Sequence, residues 1–154
     1  MIWGDTVKLS TKGRYGLKAM FDLAQNYGSG PVPLNNIAQR NSISEHYLEQ
    51  LIAVLRKSNL VKSVRGAQGG YILNRPPATI TVGDIIRALE GPIAPVECVN
   101  EEEPEPCDNA EFCITRTVWA KVRDSVTEVL DSITLQDMLE EAKKRQEESY
   151  MYYI

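Results

Sequence analysis

The stretch from Ser42 to Leu73 constrains the fold more than any other, because its apolar period switches from helical to strand-like within a few residues. Leu48, Leu51, Ile52 and Leu55 fall at i, i+3, i+4 and i+7, one stripe of an amphipathic helix. Ser44 is placed to cap that helix, and Glu45 puts a negative charge in its first turn, where the helix dipole favours it. The opposite stripe, His46, Glu49, Gln50, Ala53 and Lys57, is polar and ends in a cation. Beyond Ser58-Asn59, the runs Leu60–Val64 and Tyr71–Leu73 flank the glycine-dense turn Gly66-Ala67-Gln68-Gly69-Gly70, which predicts a hairpin. A helix and then a hairpin with Arg65 and Gln68 near its tip suits a reading helix with a flanking wing on duplex DNA.

Upstream, Leu17, Met20, Phe21, Ala24 and Tyr27 predict a helix from Gly13 to Tyr27, closed by Gly28-Ser29-Gly30-Pro31. A second short helix, Leu34 to Arg40, buries Leu34, Ile37 and Ala38, with Asn41 as its C-cap. Only Asn41–Ile43 then separate it from the helix at Ser44, the spacing of a helix-turn-helix; a structural helical hairpin has the same local pattern. Lys8, Lys12, Arg14 and Lys18 lie ahead of the first helix or on its outer face. They suit contacts that position a protein on phosphates, or simply form a solvated basic edge.

Downstream, Arg75-Pro76-Pro77 breaks the chain, and Thr81 with Asp84 forms a capping box using Asp for Glu. Val82, Ile85, Ile86 and Leu89 are the buried stripe of that helix, which Gly91-Pro92 ends. Pro92 to about Asn109 has no period and carries the acidic run Glu101–Glu105, which predicts a long loop. From about Ala110, Ile114, Val118, Val122, Val126, Val129, Leu130 and Ile133 keep a narrow stripe over about six helical turns. Such a helix after a complete small domain suits dimerisation, with packing onto its own domain as the competing arrangement. Thr134 and Asp137 cap a last helix bearing Leu135, Met138, Leu139 and Ala142. The organisation predicted is an extension (1–7), a winged helix-turn-helix domain (8–91), a cysteine-bearing loop (92–113), dimerisation and terminal helices (114–147) and a tail (148–154). The fold class expected is mainly α with a small β-hairpin.

Charge separates the two halves. The 154 residues carry −4 overall, but residues 1–75 hold ten Lys/Arg against four Asp/Glu, whereas 76–154 hold seven against seventeen. A basic front confines any nucleic-acid footprint to the first domain. No apolar run reaches the roughly 18 residues of a membrane span, and Met1–Asp5 lacks the cationic start of a signal peptide. The expected location is the cytoplasm, where thiols stay reduced. No Ser-His-Asp set, paired His or phosphate-cradling glycine loop suggests an enzyme.

Cys98, Cys107 and Cys113 cluster in or beside the long loop. Structural zinc wants four ligands and closer cysteine pairs. An iron–sulfur group tolerates wider spacing but also wants four ligands, and one chain offers three thiols. A reactive-thiol switch wants cations nearby, and this loop is acidic; three inert cysteines are the plain alternative. His46, the only histidine, lies on the reading helix, where metal ligation would compete with DNA.

Leu9–Gly16, Ile43–Leu51, Leu60–Gly66 and Gly69-Gly70-Tyr71 resemble, in order, motifs of the Rrf2 family of bacterial transcription regulators, a likeness running from about Lys8 to Leu139. The resemblance implies a winged helix-turn-helix homodimer on double-stranded DNA, held by its long C-terminal helix. On DNA it assigns Ser44, His46, Tyr47, Glu49, Gln50 and Lys57 to the reading helix, Arg65 and Gln68 to the wing, and Lys8 and Lys12 to the backbone. Two branches are similar. An IscR-type branch senses iron–sulfur status through a 2Fe–2S cluster on three loop cysteines and a histidine. A CymR-type branch represses cysteine metabolism without a cluster and acts with O-acetylserine thiol-lyase. Cys98, Cys107 and Cys113 match the first in number and place, although the first gap is longer by three and Arg116 stands where the histidine would be. Arginine cannot ligate iron, and Arg14 occupies the position from which a nitric-oxide-sensing branch lends a carboxylate; Asp108 and Glu111 are chemically possible fourth ligands. Glu90–Ile93 and Tyr150–Ile154 resemble the second branch. Three clustered cysteines favour a repressor with an iron–sulfur cluster, 2Fe–2S with 4Fe–4S as the alternative. Tyr152, Tyr153 and Ile154 are expected either to dock in the active-site cleft of O-acetylserine thiol-lyase or to form a plain structural tail packed on the dimer.

Overall fold

The structure, a computed structural model, describes residues 9–153. Three helices, α1 (Thr11–Gln25), α2 (Leu34–Asn41) and α3 (Glu45–Lys57), precede an antiparallel hairpin of β1 (Val61–Val64) and β2 (Gly70–Leu73). The register pairs Val61 with Leu73 and Val64 with Gly70. Then come α4 (Val82–Glu90), α5 (Ile114–Ser132) and α6 (Leu135–Met151). Met20, Leu23, Ile37, Leu48, Ile52, Leu55, Ile80, Ile85 and Leu135 are fully buried, so one core joins all these helices except α5. The α3 stripe is buried as its spacing predicts.

The first helix is shifted from its predicted bounds. It starts at Thr11, where the Ser10 N–H donates to Glu90 Oε1 at 2.7 Å, and ends before Tyr27, which is exposed rather than part of the buried face. Gly13 and Gly16 let α4 approach: a Cβ on Gly16 would overlap the Leu89 side chain. The helix-turn-helix corner also differs in detail. Helix α2 includes Asn41, and Ser42 takes the left-handed cap at φ 54°, ψ 44°. A non-glycine residue there costs about 1 kcal/mol; the Ile43 N–H donating to Ala38 O at 3.0 Å closes the corner.

Asn41 divides its side-chain amide between the Ile37 carbonyl (2.9 Å) and a buried carboxylate. Asp22 of α1 accepts from Arg40 Nε (2.9 Å), Arg40 Nη2 (2.6 Å) and Asn41 Nδ2 (3.2 Å). Asp22 is nearly enclosed while Arg40 is half exposed, and the hydrogen bond to Asp22 raises the Arg40 pKa. This fork ties α2 to α1 and sets the platform from which α3 projects.

Both capping boxes predicted by sequence are formed, Thr81 with Asp84 and Thr134 with Asp137. They face each other across a short bridge: Val82 N–H donates to Ile133 O (2.8 Å) and Leu135 N–H to Ile80 O (2.9 Å). The α5–α6 joint is therefore pinned to the start of α4. Helix α5 begins at Ile114, four residues after its predicted start, because residues 110–112 form turns and Cys113 is the cap. Helix α6 runs past the predicted boundary at 147, continued by helix-forming residues and the Arg145–Glu141 pair at 2.8 Å. Only Tyr152 and Tyr153 of the described tail lie beyond it. The extension 1–7 and the candidates Lys8 and Ile154 lie outside the described residues. No described helix is long and apolar enough to cross a membrane.

Candidate nucleic-acid interface and cysteine loop

Ser44 caps α3 as predicted, its Oγ accepting from the Tyr47 N–H at 3.2 Å. The cap aligns the helix so that His46, Glu49, Gln50 and Lys57 all stand exposed on the side away from the core. Gln50 Nε2 lies 3.3 Å from His46 Nε2, so these two side chains form one polar surface. Among the described residues Glu49 has no cation within 4 Å, which leaves its carboxylate available to an outside donor. Tyr47 differs from its neighbours: it is half-buried and meets Tyr15 edge-on, ring centroids 6.2 Å apart, with Lys18 Nζ 5.3 Å from the Tyr15 ring centroid. Its ring braces α3 against α1. Lys12 is exposed on the first turn of α1.

The hairpin carries Arg65 and Gln68 exposed at its tip. Its base is fixed by a second pairing that local sequence did not reveal: Val32 and Tyr71 exchange backbone hydrogen bonds, both 2.9 Å. Arg75, after β2, reaches Asp84 of α4 at 3.3 Å. Asp84 lies 3.9 Å from Arg87, which pairs at 2.5 Å with Asp131 near the end of α5. The hydrogen bond to Asp131 raises the Arg87 pKa. An ion-pair chain thus runs from the wing base to the long helix. Its last link, Arg87 to Asp131, spans 44 residues, so no local pattern could have signalled it.

The cysteine loop is held by two arginines that sequence reading did not assign to this task. Arg116 Nε donates to Cys98 O (3.3 Å) and Arg123 Nη1 to Val99 O (2.9 Å), fastening the 3₁₀ turn Glu97–Val99 to α5, with Val99 buried beneath it. Arg116 therefore occupies the histidine position as a backbone anchor. Cys107 lies past the acidic run and is exposed, while Cys113 sits at the α5 N-terminus. Its thiol is drawn below the ordinary thiol range, chiefly by the hydrogen bond with Thr115 Oγ1 (3.2 Å) and then by the Arg116 N–H, with burial opposing.

Thiolates suit an iron–sulfur group in donor type. The expected convergence is not found: among the described residues no three His, Cys, Asp or Glu side chains come together to hold a metal. Cys98 is tied to the first turn of α5 through Arg116 and Cys113 caps that helix, while Cys107 is exposed. The three thiols do not form a ready cluster site in a single chain.

A capped reading helix behind a helix-turn-helix corner, followed by an anchored hairpin, defines a winged helix-turn-helix protein. The chain belongs to the Rrf2 family of iron-dependent transcriptional regulators, whose pattern matches residues 9–141. It is similar to the HTH-type transcriptional regulator CymR of Bacillus subtilis, 53% identical over 148 residues, spanning 96% of this chain and 100% of that one. Among solved structures, T. potens IscR is 59% identical with a TM-score of 0.76, covering 90% of each chain. The B. subtilis CymR structure is 54% identical with a TM-score of 0.71, covering 86% of this chain and 96% of that one. The protein is a transcription regulator, not an enzyme.

Proposed function

We propose that this regulator is a cytoplasmic homodimer that reads an operator in duplex DNA with α3 and the hairpin, and takes its signal from the cysteine loop. The exposed polar stripe of α3 carries this reading. Its residue types match base edges: Gln50 can pair bidentately with adenine and Glu49 can accept from cytosine N4. Ser44 and Tyr47 set the helix entry, while Lys57 and Lys12 suit phosphates and Arg65 a narrow minor groove, with Gln68 beside it. Replacing Glu49 by Ala should relax preference at one base position by roughly 10- to 100-fold, the 1–3 kcal/mol of a good base contact. Binding to random duplex should hold or strengthen, because a phosphate-repelling charge is gone. Titration of operator variants checks this; an unchanged preference would defeat the assignment.

For the signal, Cys98, Cys107 and Cys113 are proposed as the protein ligands of an iron–sulfur cluster, with the missing ligand from another residue type or a second chain. In support stand three accessible or half-buried thiols in one loop and the lowered Cys113 pKa. Anaerobic reconstitution should give iron and sulfide uptake with visible absorption, all lost in a triple Cys→Ala variant. No iron uptake would favour the CymR-type reading, a repressor of cysteine metabolism acting with O-acetylserine thiol-lyase. The exposed aromatic end of α6, with Tyr152 and Tyr153, supports that second reading; there Tyr152, Tyr153 and Ile154 would dock in the enzyme.

A further inference from the structure

Between the C-terminal half of α3 and the first hairpin strand lies an open depression of about 450 Å³, and of its lining residues only Lys57 has a role assigned above. Its walls include Ala53, Arg56 and Lys57 on the helix side and Lys62 and Ser63 on the strand side. All five are exposed. Asn74 closes one end, its amide donating to Asn59 O at 3.0 Å and so joining the residue after β2 to the turn after α3.

The charge here is one-sided. From Gln50 to Gly83 the sequence contains Arg56, Lys57, Lys62, Arg65 and Arg75 and no Asp or Glu. Of these, Arg75 has a carboxylate partner; Arg56, Lys57 and Lys62 have none within 4 Å among the described residues. Three cations held this close repel one another, and an anion between them would relieve that repulsion.

Position identifies the anion. Ala53 and Lys57 end the same stripe that begins with His46, Glu49 and Gln50, so the helix wall of the depression continues the face assigned to base reading. If α3 occupies a major groove and Arg65 the adjacent minor groove, one phosphodiester strand separates the two grooves. That strand must pass between helix and hairpin, where the depression lies.

We propose that the depression seats a backbone phosphate of that dividing strand, with Arg56 and Lys62 closing on it from opposite sides and the Ser63 hydroxyl as an added donor. The inference rests on the DNA-reading function proposed above and extends it to residues with no earlier role. A phosphate seat of this kind fixes register without discriminating sequence. It would locate α3 and the wing relative to one another on the duplex, which neither element achieves alone.

The experiment measures operator affinity against salt for wild type and for an Arg56→Gln, Lys62→Gln double variant, which keeps polar side chains of similar reach. Each neutralised phosphate contributes a slope of about −0.9 in log K against log salt. Losing one seat per protomer in a dimer should reduce the fall in affinity between 50 and 200 mM salt by about tenfold. The ratio of operator to random-duplex affinity should stay unchanged. A single neutral methylphosphonate on the strand dividing the two grooves should weaken wild type but leave the double variant unaffected. An unchanged salt slope, or equal sensitivity of both proteins to the methylphosphonate, overturns the proposal. Wild type that binds no duplex in a salt-dependent way would instead overturn the DNA-reading function itself.

Discussion

Replacing Val122 and Val126 together by glutamate should turn a dimer into monomers and lower operator affinity by at least about a hundredfold. Helix α5 is 19 residues long and has no buried residue. Val118, Val122, Val126 and Val129 form its stripe, 50%, 37%, 41% and 56% exposed. Completing the burial of these half-covered valines yields about 1 kcal/mol each. Eight such side chains across a two-fold interface therefore offer about 8 kcal/mol before the cost of association. In a two-fold interface the same patch meets itself, so the glutamates added to the two protomers enter one interface and repulsion joins the lost apolar contact. The affinity loss follows from linkage: two reading heads on one body bind two half-sites with an advantage of about 10²–10⁴ over a single head. Sedimentation and operator titration check both effects, with circular dichroism confirming that the helices remain. A variant that stays dimeric at full affinity would place the interface elsewhere.

Gly70→Ala should strongly damage the DNA-binding domain. A Cβ at that position would overlap the Val32 carbonyl and crowd Pro33 N, both backbone atoms that cannot rotate away. Relief requires the hairpin to separate from the 31–33 segment, losing the two Val32–Tyr71 hydrogen bonds of 2.9 Å. At about 1 kcal/mol each plus the displaced packing, the expected loss is about 2–3 kcal/mol. For a chain of this size that lowers Tm by about 4–12 °C. Because the hairpin carries Arg65 and one wall of the phosphate depression, operator affinity should fall as well, by about tenfold, the order of one lost contact of 1–2 kcal/mol. Gly66→Ala is the control. Its φ is +117°, so alanine is strained, yet nothing lies within 4 Å of the added Cβ. Its cost should stay near 1 kcal/mol, with the wing in place. Equal melting temperatures for the two variants would show that the Val32 contact does not anchor the wing.

The ion-pair chain Arg75–Asp84–Arg87–Asp131 and the pinned joint at Ile133–Leu135 give the long helix a mechanical route to the wing. These contacts link α5, and the cysteine loop fastened to it by Arg116 and Arg123, to α4 and then to the base of β2. Exposed ion pairs of this kind contribute little to stability. Their value lies in geometry, since they couple elements that share little core.

The amino-acid sequence by itself determined the local elements: the Leu48–Leu55 stripe, the Ser44 cap, both capping boxes and the glycine-rich hairpin turn. Each depends on side chains within about one or two helical turns or across one tight turn, so period and cap chemistry suffice to specify it. The polar stripe of α3 was legible for the same reason, because facing away from the core follows directly from the helical period. Tertiary structure alone decided how those elements meet. It set Asn41 between Asp22 and the Ile37 carbonyl with Ser42 in the left-handed cap, and it made Arg116 an anchor for the Cys98 carbonyl. It also paired Val32 with Tyr71 and left the three cysteines without a common metal site, although they lie within sixteen residues of one another. These outcomes depend on which distant groups compete for the same hydrogen bond or the same volume, and closeness along a chain says nothing about that competition.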